Sequence, residues 1–141
     1  MEILTNEELF QEAKKARLHA YTPYSHFQVG AALLTKEGKV YHGCNIENAA
    51  YGPTNCAERT AFFKAVYEGE REFDRIAIAG APEGQEPKEM CAPCGVCRQV
   101  MMEFCQPDSF RIILSDGKGS VADFALGELL PYGFGPANLG K

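Results

Sequence analysis

The sequence predicts an α/β fold, a mixed β-sheet with helices packed on it. Helix-type and strand-type segments alternate in the order α-β-β-α-β-α-β-β, the pattern of layered α/β domains. The hydrophobic fraction of 45% suffices for a real core at a length of 141 residues. No internal repeat, low-complexity segment or linker divides the chain, so residues 1–141 read as a single domain.

Thr5 followed by Glu8 reads as a capping box. Behind it Leu9, Ala13, Ala16 and Ala20 recur near helical spacing, and Pro23 stops that helix. Phe27 to Leu34 is rich in strand formers. Gly38 sits in a turn, and Val40 to Ile46 returns as the second strand of a hairpin. Asn48 to Asn55 holds Gly52 and Pro53 and reads as a loop. A helix starts near Cys56, with Ala57, Ala61, Ala65 and Val66 on its apolar side and Phe62 and Phe63 adding bulk. Glu68 and Gly69 end it. Arg75 to Gly80 is a short buried strand. Ala81 to Met90, polar with Pro82, Gly84 and Pro87, is an exposed loop. A second core helix runs from about Cys94 to Cys105. Phe110 to Leu114 is a strand, Asp116-Gly117 a turn and Val121 to Phe124 the last strand. Leu126 to Leu130 forms a short helix before a Gly/Pro-rich tail.

The formal net charge is −5, and no basic stripe is visible. A domain that tracks a long nucleic acid usually carries one. A small substrate is therefore expected, with no nucleic-acid polymer as partner. Met1 to Leu9 carries Glu2, Glu7 and Glu8 and lacks the basic, then apolar, pattern of a secretory leader. No apolar run approaches membrane-spanning length. A cytoplasmic location is the expectation. In a reducing compartment the six cysteines are free, metal-bound or catalytic in preference to paired.

Two segments carry the chemistry: Cys56-Ala57-Glu58-Arg59 and Pro93-Cys94-Gly95-Val96-Cys97-Arg98. Both lie at expected helix starts. Three protein ligands leave a tetrahedral zinc one open position for water, the mark of a catalytic site. Zinc acidifies that water, thiolate ligands oppose the effect, and two features can compensate. One is the positive end of each helix. The other is Arg59 and Arg98, each adjacent to a candidate functional residue. Glu58, two residues beyond Cys56, is poorly placed as a fourth ligand but well placed for general acid–base work. The pattern matches the zinc-deaminase signature, with cysteine where that signature carries histidine. Spacing leaves alternatives open. Cys91-Ala92-Pro93-Cys94 is an overlapping Cys-x-x-Cys, a redox pair has the same spacing, and Cys56, Cys91, Cys94 and Cys97 can make a closed structural site. Cys105 and Cys44 read as core thiols. His19, His26 and His42 read as surface or hydrogen-bonded histidines, and Met101 and Met102 as helix packing.

Longer blocks then resemble a known family, the small homotetrameric zinc-dependent cytidine deaminases. These blocks are Tyr24-Ser25, Phe27 to Leu34, Gly43 to Gly52, Cys56 to Ala61, Pro93 to Gln99, and Leu129-Leu130-Pro131 with Phe134. The resemblance implies a three-layer fold, a five-stranded mixed sheet with helices on both faces. It implies hydrolytic deamination of cytidine and deoxycytidine to uridine and deoxyuridine, a reaction of pyrimidine salvage. It implies one zinc ion per subunit, held by Cys56, Cys94 and Cys97 and not by Cys91, with Glu58 as proton shuttle and Arg59 tuning charge near the metal. Asn45 and Glu47 are implied to bind the ribose hydroxyls and Phe27 to pack near the pyrimidine. Ala49, Tyr51 and Ala57 are implied to line the nucleoside site. Tyr51 and Phe134 are implied to reach a neighbouring subunit in a homotetramer.

Pro53-Thr54-Asn55 falls in a variable part of the family, and the loop from Ala81 to Ala92 is long and polar for it. A related deaminase for an aminopyrimidine-nucleoside antibiotic, a structural zinc module that binds a protein partner, and a polynucleotide editor are the competing readings.

Overall fold

The computed structural model describes residues 4–141. Its elements are α1 (Asn6–Ala16), β1 (Phe27–Thr35), β2 (Val40–Cys44), α2 (Ala57–Tyr67), β3 (Phe73–Pro82), α3 (Gly95–Phe104), β4 (Arg111–Ser115), β5 (Val121–Ala125) and α4 (Leu126–Leu129). Short 3-10 turns occupy Arg17–His19 and Pro136–Leu139.

The expected capping box opens α1. Thr5 Oγ1 accepts the Glu8 N–H at 3.1 Å, and Glu8 Oε1 accepts the Thr5 N–H at 2.9 Å. The helix ends earlier than Pro23 would enforce. Ala20 is already extended, at φ −62° and ψ 145°, and so leaves the helical face on which its spacing placed it. A tertiary contact holds the segment where α1 gives way to the 3-10 turn. Buried Arg17 turns inward and donates to the carbonyls of Gln28, Ala81 and Pro82 at 3.2, 3.0 and 3.1 Å. A buried guanidinium needs such partners, and the bonds anchor the end of α1 to the sheet.

The sheet has five strands in the order β2-β1-β3-β4-β5. The β3–β4 pair is parallel, and the β1–β2, β1–β3 and β4–β5 pairs are antiparallel. This is the mixed sheet the element order predicts. Alternate residues face opposite layers, as the strand period requires. Ala32, Leu34, Ala77, Ala79 and Ile113 pack with Leu9, Phe10 and Ala13 of α1. Ala31, Leu33, Ile76, Ile78, Ile112 and Leu114 pack with Ala57, Ala61, Phe62 and Ala65 of α2 and with Cys97 and Met101 of α3.

Two glycines set the helix–sheet distances. A Cβ at Gly30 would lie 2.1 Å from the Ala13 carbonyl oxygen, and one at Gly43 would lie 2.3 Å from that of Ala57. The backbones of α1 and α2 therefore rest almost directly on β1 and β2. β3 is longer than expected at both ends, and Ala81 and Pro87 are buried within what reads as an exposed loop. Phe62 is fully buried but Phe63, its neighbour on α2, is exposed, because consecutive helical residues point about 100° apart. Cys105 is a core thiol directly after α3. Cys44 is only half-buried and lines a cavity of about 500 Å³ with Glu12, His42 and Lys64. His42 pairs with Glu12 at 2.9 Å. Among the described residues no helix is long and apolar enough to cross a membrane.

Candidate metal centre and substrate site

Two helix N-termini meet at one cluster of thiols. Cys56 is the residue before α2 and Cys94 the residue before α3; both are extended and neither side chain caps its helix. Their thiols are thus free to turn toward each other. Cys97 follows in the first turn of α3. The Sγ atoms of Cys56 and Cys94 are 3.7 Å apart, and those of Cys94 and Cys97 are 3.4 Å apart. All three lie within 4.8 Å of one another.

The donor set suits zinc. Tetrahedral Zn–S bonds of about 2.3 Å place sulfurs roughly 3.8 Å apart, close to the spacings here. Soft thiolates at that geometry select zinc over hard cations. Cys97 is buried and Cys94 exposed, so the cluster has a closed side and an open one. Cys91 is not part of the cluster. Its sulfur packs over Gly80, 2.6 Å from where a Cβ would stand there, and burial pushes its thiol up to about 11. Spacing left this cysteine an equal candidate; its position in the fold separates it.

Electrostatics divide the two arginines. Arg59 Nη2 donates to Cys56 Sγ at 3.4 Å, and its buried Nε has no hydrogen-bond partner among the described residues. Hydrogen bonding from Cys97 draws the Cys56 thiol down to about 5, with Arg59 assisting, and the same contact pushes Cys97 upward. Arg98 does otherwise. Its Nε donates to the Pro93 carbonyl at 2.8 Å and its Nη1 to the Leu129 carbonyl. It ties the start of α3 to α4, and these hydrogen bonds go to carbonyls and not to the sulfurs.

Glu58 lies in the first turn of α2 and is 4% exposed. Burial pushes its carboxyl up to about 7, and the Cys56 charge adds to the rise. Ala57, beside it, is fully buried.

Asn45 and Glu47 lie on the segment leaving β2. Asn45 Oδ1 accepts the Val29 N–H at 2.9 Å, and its Nδ2 donates to the Phe27 carbonyl at 2.9 Å. Glu47 Oε1 accepts the N–H groups of Tyr24 and Ser25 at 3.0 and 3.2 Å, and Oε2 accepts the Ser25 hydroxyl. Ser25 holds the Glu47 carboxyl below its usual range. An amide has two donors and two lone pairs on its oxygen, and a carboxylate about four acceptor positions. Both side chains therefore keep capacity for a ligand. Phe27 opens β1 with its ring edge at Gly80.

Ala49 and Tyr51 are exposed on a loop tied by the Asn48 N–H to Thr54 Oγ1 at 3.1 Å. Phe134 is exposed far along the chain, and its carbonyl accepts from Gln99 Nε2 at 2.8 Å. Sequence reasoning assigned no role to Ser25. The local signal was present in the Ser-x-Phe spacing, which favours a hydroxyl bond to the N–H two residues on.

Converging thiols, one buried carboxylate and an open approach define the centre of a metal-dependent hydrolase. Residues 4–111 match the cytidine and deoxycytidylate deaminase zinc-binding region. Over 133 residues the chain is 51% identical to a cytidine deaminase of Sporosarcina psychrophila, covering 94% of this chain and 93% of that protein. It is 51% identical over 126 residues to a cytidine deaminase of Halalkalibacterium halodurans, covering 89% and 91%. The crystal structure of cytidine deaminase from Burkholderia pseudomallei matches with a TM-score of 0.83 at 50% identity, over 93% of this chain and 100% of that one. The chain belongs to the cytidine and deoxycytidylate deaminase zinc-binding family.

Proposed function

We propose that this chain hydrolyses cytidine and deoxycytidine to uridine and deoxyuridine with release of ammonia, using one zinc ion held by Cys56, Cys94 and Cys97. The observation that carries the reading is a buried carboxylate, Glu58, beside three converging thiols. When bound, zinc makes a water molecule acidic enough to serve as nucleophile near neutral pH. Glu58 takes one proton from that water and delivers it to N3 of the pyrimidine as oxygen bonds to C4. Glu58 then passes the water's second proton to the 4-amino group, the C4–N bond breaks, and ammonia leaves. The water oxygen remains as the C4 carbonyl of the product.

Arg59 supplies positive charge beside Cys56 and so limits the electron donation of three thiolates. Asn45 and Glu47 receive the sugar hydroxyls, since a buried hydroxyl needs both a donor and an acceptor. Phe27 packs against the base, and Ala49, Tyr51 and Ala57 line the nucleoside. A homotetramer is the proposed assembly, with Tyr51 and Phe134 completing a neighbour's site. The exposure of these rings, 94% and 57%, supports it: each leaves apolar surface that a second copy can cover. A cytoplasmic location accords with three close thiols that must stay reduced to bind metal.

Cytidine absorbance, followed before and after zinc chelation, tests the proposal. Turnover that disappears with the metal and returns with added zinc is expected. Activity on single-stranded RNA or DNA without activity on free cytidine would overturn it. Faster turnover of an aminopyrimidine-nucleoside antibiotic than of cytidine would reassign the substrate.

A further inference from the structure

A closed ring of bonds joins the sugar side of the proposed site to its base side. The Ser25 hydroxyl donates to Glu47 Oε2. Ser25 Oγ in turn accepts the Phe27 N–H at 3.0 Å. The Phe27 carbonyl accepts Asn45 Nδ2 at 2.9 Å. The chain from Asn45 through Ile46 to Glu47 closes the ring. Phe27 is thus gripped at both of its backbone polar groups, once directly by Asn45 and once through Ser25 by Glu47.

The turn is built to make the Ser25 bond. His26, between Ser25 and Phe27, has φ 57°, a left-handed conformation uncommon for a residue with a side chain. It is held there by its own N–H to the Thr22 carbonyl at 3.1 Å and by the Glu83 N–H to its carbonyl at 2.7 Å. The fold tolerates this disfavoured backbone and thereby brings the Ser25 hydroxyl back onto the Phe27 N–H while Glu47 stays within reach. Ser25 uses its one donor on Glu47 and one of its acceptor positions on Phe27. It is the one side chain in the ring without a role in the proposed chemistry.

We infer that Ser25 is a positioning residue that couples the sugar-binding carboxylate of Glu47 to the placement of Phe27 against the base. The inference rests on the proposed roles of Glu47 and Phe27. Binding energy from a remote part of a substrate accelerates the reaction only when it helps orient the reacting centre. The ring supplies a rigid path for that: a sugar hydroxyl seated on Glu47 and Asn45 fixes where Phe27 directs the pyrimidine.

The test compares cytidine with 2′,3′-dideoxycytidine, which lacks both ring hydroxyls, in the zinc-loaded enzyme. Ser25→Ala should lower kcat/KM for cytidine about ten- to hundredfold, the scale of one charge-assisted hydrogen bond. Part of that loss should fall in kcat. Dideoxycytidine should change by less than about threefold, because it gains nothing from an aimed Glu47. Ser25→Thr, which keeps the hydroxyl, should restore most of the preference for cytidine. Equal losses on both substrates, or unchanged cytidine kinetics in Ser25→Ala, would overturn the inference. Glu47→Gln separates the two levels. If it collapses the preference while Ser25→Ala does not, the coupling fails and the sugar reading stands. If Glu47→Gln leaves the preference intact, the sugar reading fails and takes the inference with it.

Discussion

Glu58 owes its chemistry to its surroundings. The same side chain on the outer face of α2 would be an ordinary surface acid. In the first turn, under the sheet edge and beside Cys56, it is 4% exposed and its carboxyl rises to about 7. Glu58→Gln is expected to keep zinc and bind nucleoside but lose about 10² to 10⁴ in kcat, the usual contribution of a positioned acid–base group. Metal analysis beside steady-state kinetics checks this, and near-normal turnover would refute the role. The cysteines make a sharper residue-scale prediction. Cys97→Ser should lower bound zinc well below one per chain, whereas Cys91→Ser should leave it unchanged, because the Cys91 sulfur packs on Gly80 outside the cluster. Elemental analysis of the two variants decides between a three-cysteine and a four-cysteine site.

At the scale of elements, local signals carried far. The capping box, the hairpin turn at Gly38 and the two helix starts at cysteines are chemistry of neighbours in sequence, and all are present. Thr5→Ala removes one side of the α1 capping box and should cost about 1 kcal/mol in denaturant unfolding. The box also gives α1 a pH dependence. The Thr5 backbone N–H holds Glu8 below its ordinary 4.5. A lowered carboxylate pKa favours the folded state fully above that ordinary value, and the contribution is lost as pH falls through the lowered one. The stability difference between the native chain and Glu8→Gln should therefore shrink in acid and be constant at neutral pH. Ends of elements were less legible. Just past α1, Arg17 is drawn to three carbonyls of β1 and β3, an anchor invisible to helical periodicity. Gly30→Ala should destabilise the fold by about 3 kcal/mol or more, since its Cβ would meet backbone of α1 and not a movable side chain. Chemical denaturation measures it.

For the whole molecule, the proposed homotetramer would give the exposed rings of Tyr51 and Phe134 a second copy to pack against. Native mass measurement is expected to give four copies. Tyr51→Ala should reduce cytidine turnover without changing zinc content if the proposed assembly holds, because the proposal assigns the ring to a neighbour's site and not to the metal. The α/β class and the order of elements were determined by the sequence alone, because strand and helix periods and turn chemistry act over a few residues. The resemblance in its motifs was enough to point to zinc, a proton carrier and a nucleoside. Spacing left four candidate sulfurs and the resemblance implied three; the tertiary structure brings those three together, since Cys56 and Cys94 stand 38 positions apart and meet only when α2 and α3 pack on one face of the sheet. It also decided that Arg59 faces the sulfurs while Arg98 binds carbonyls, and that Ser25 ties Glu47 to Phe27. Each of these depends on where a side chain points after packing, and spacing along a chain does not encode direction across a core.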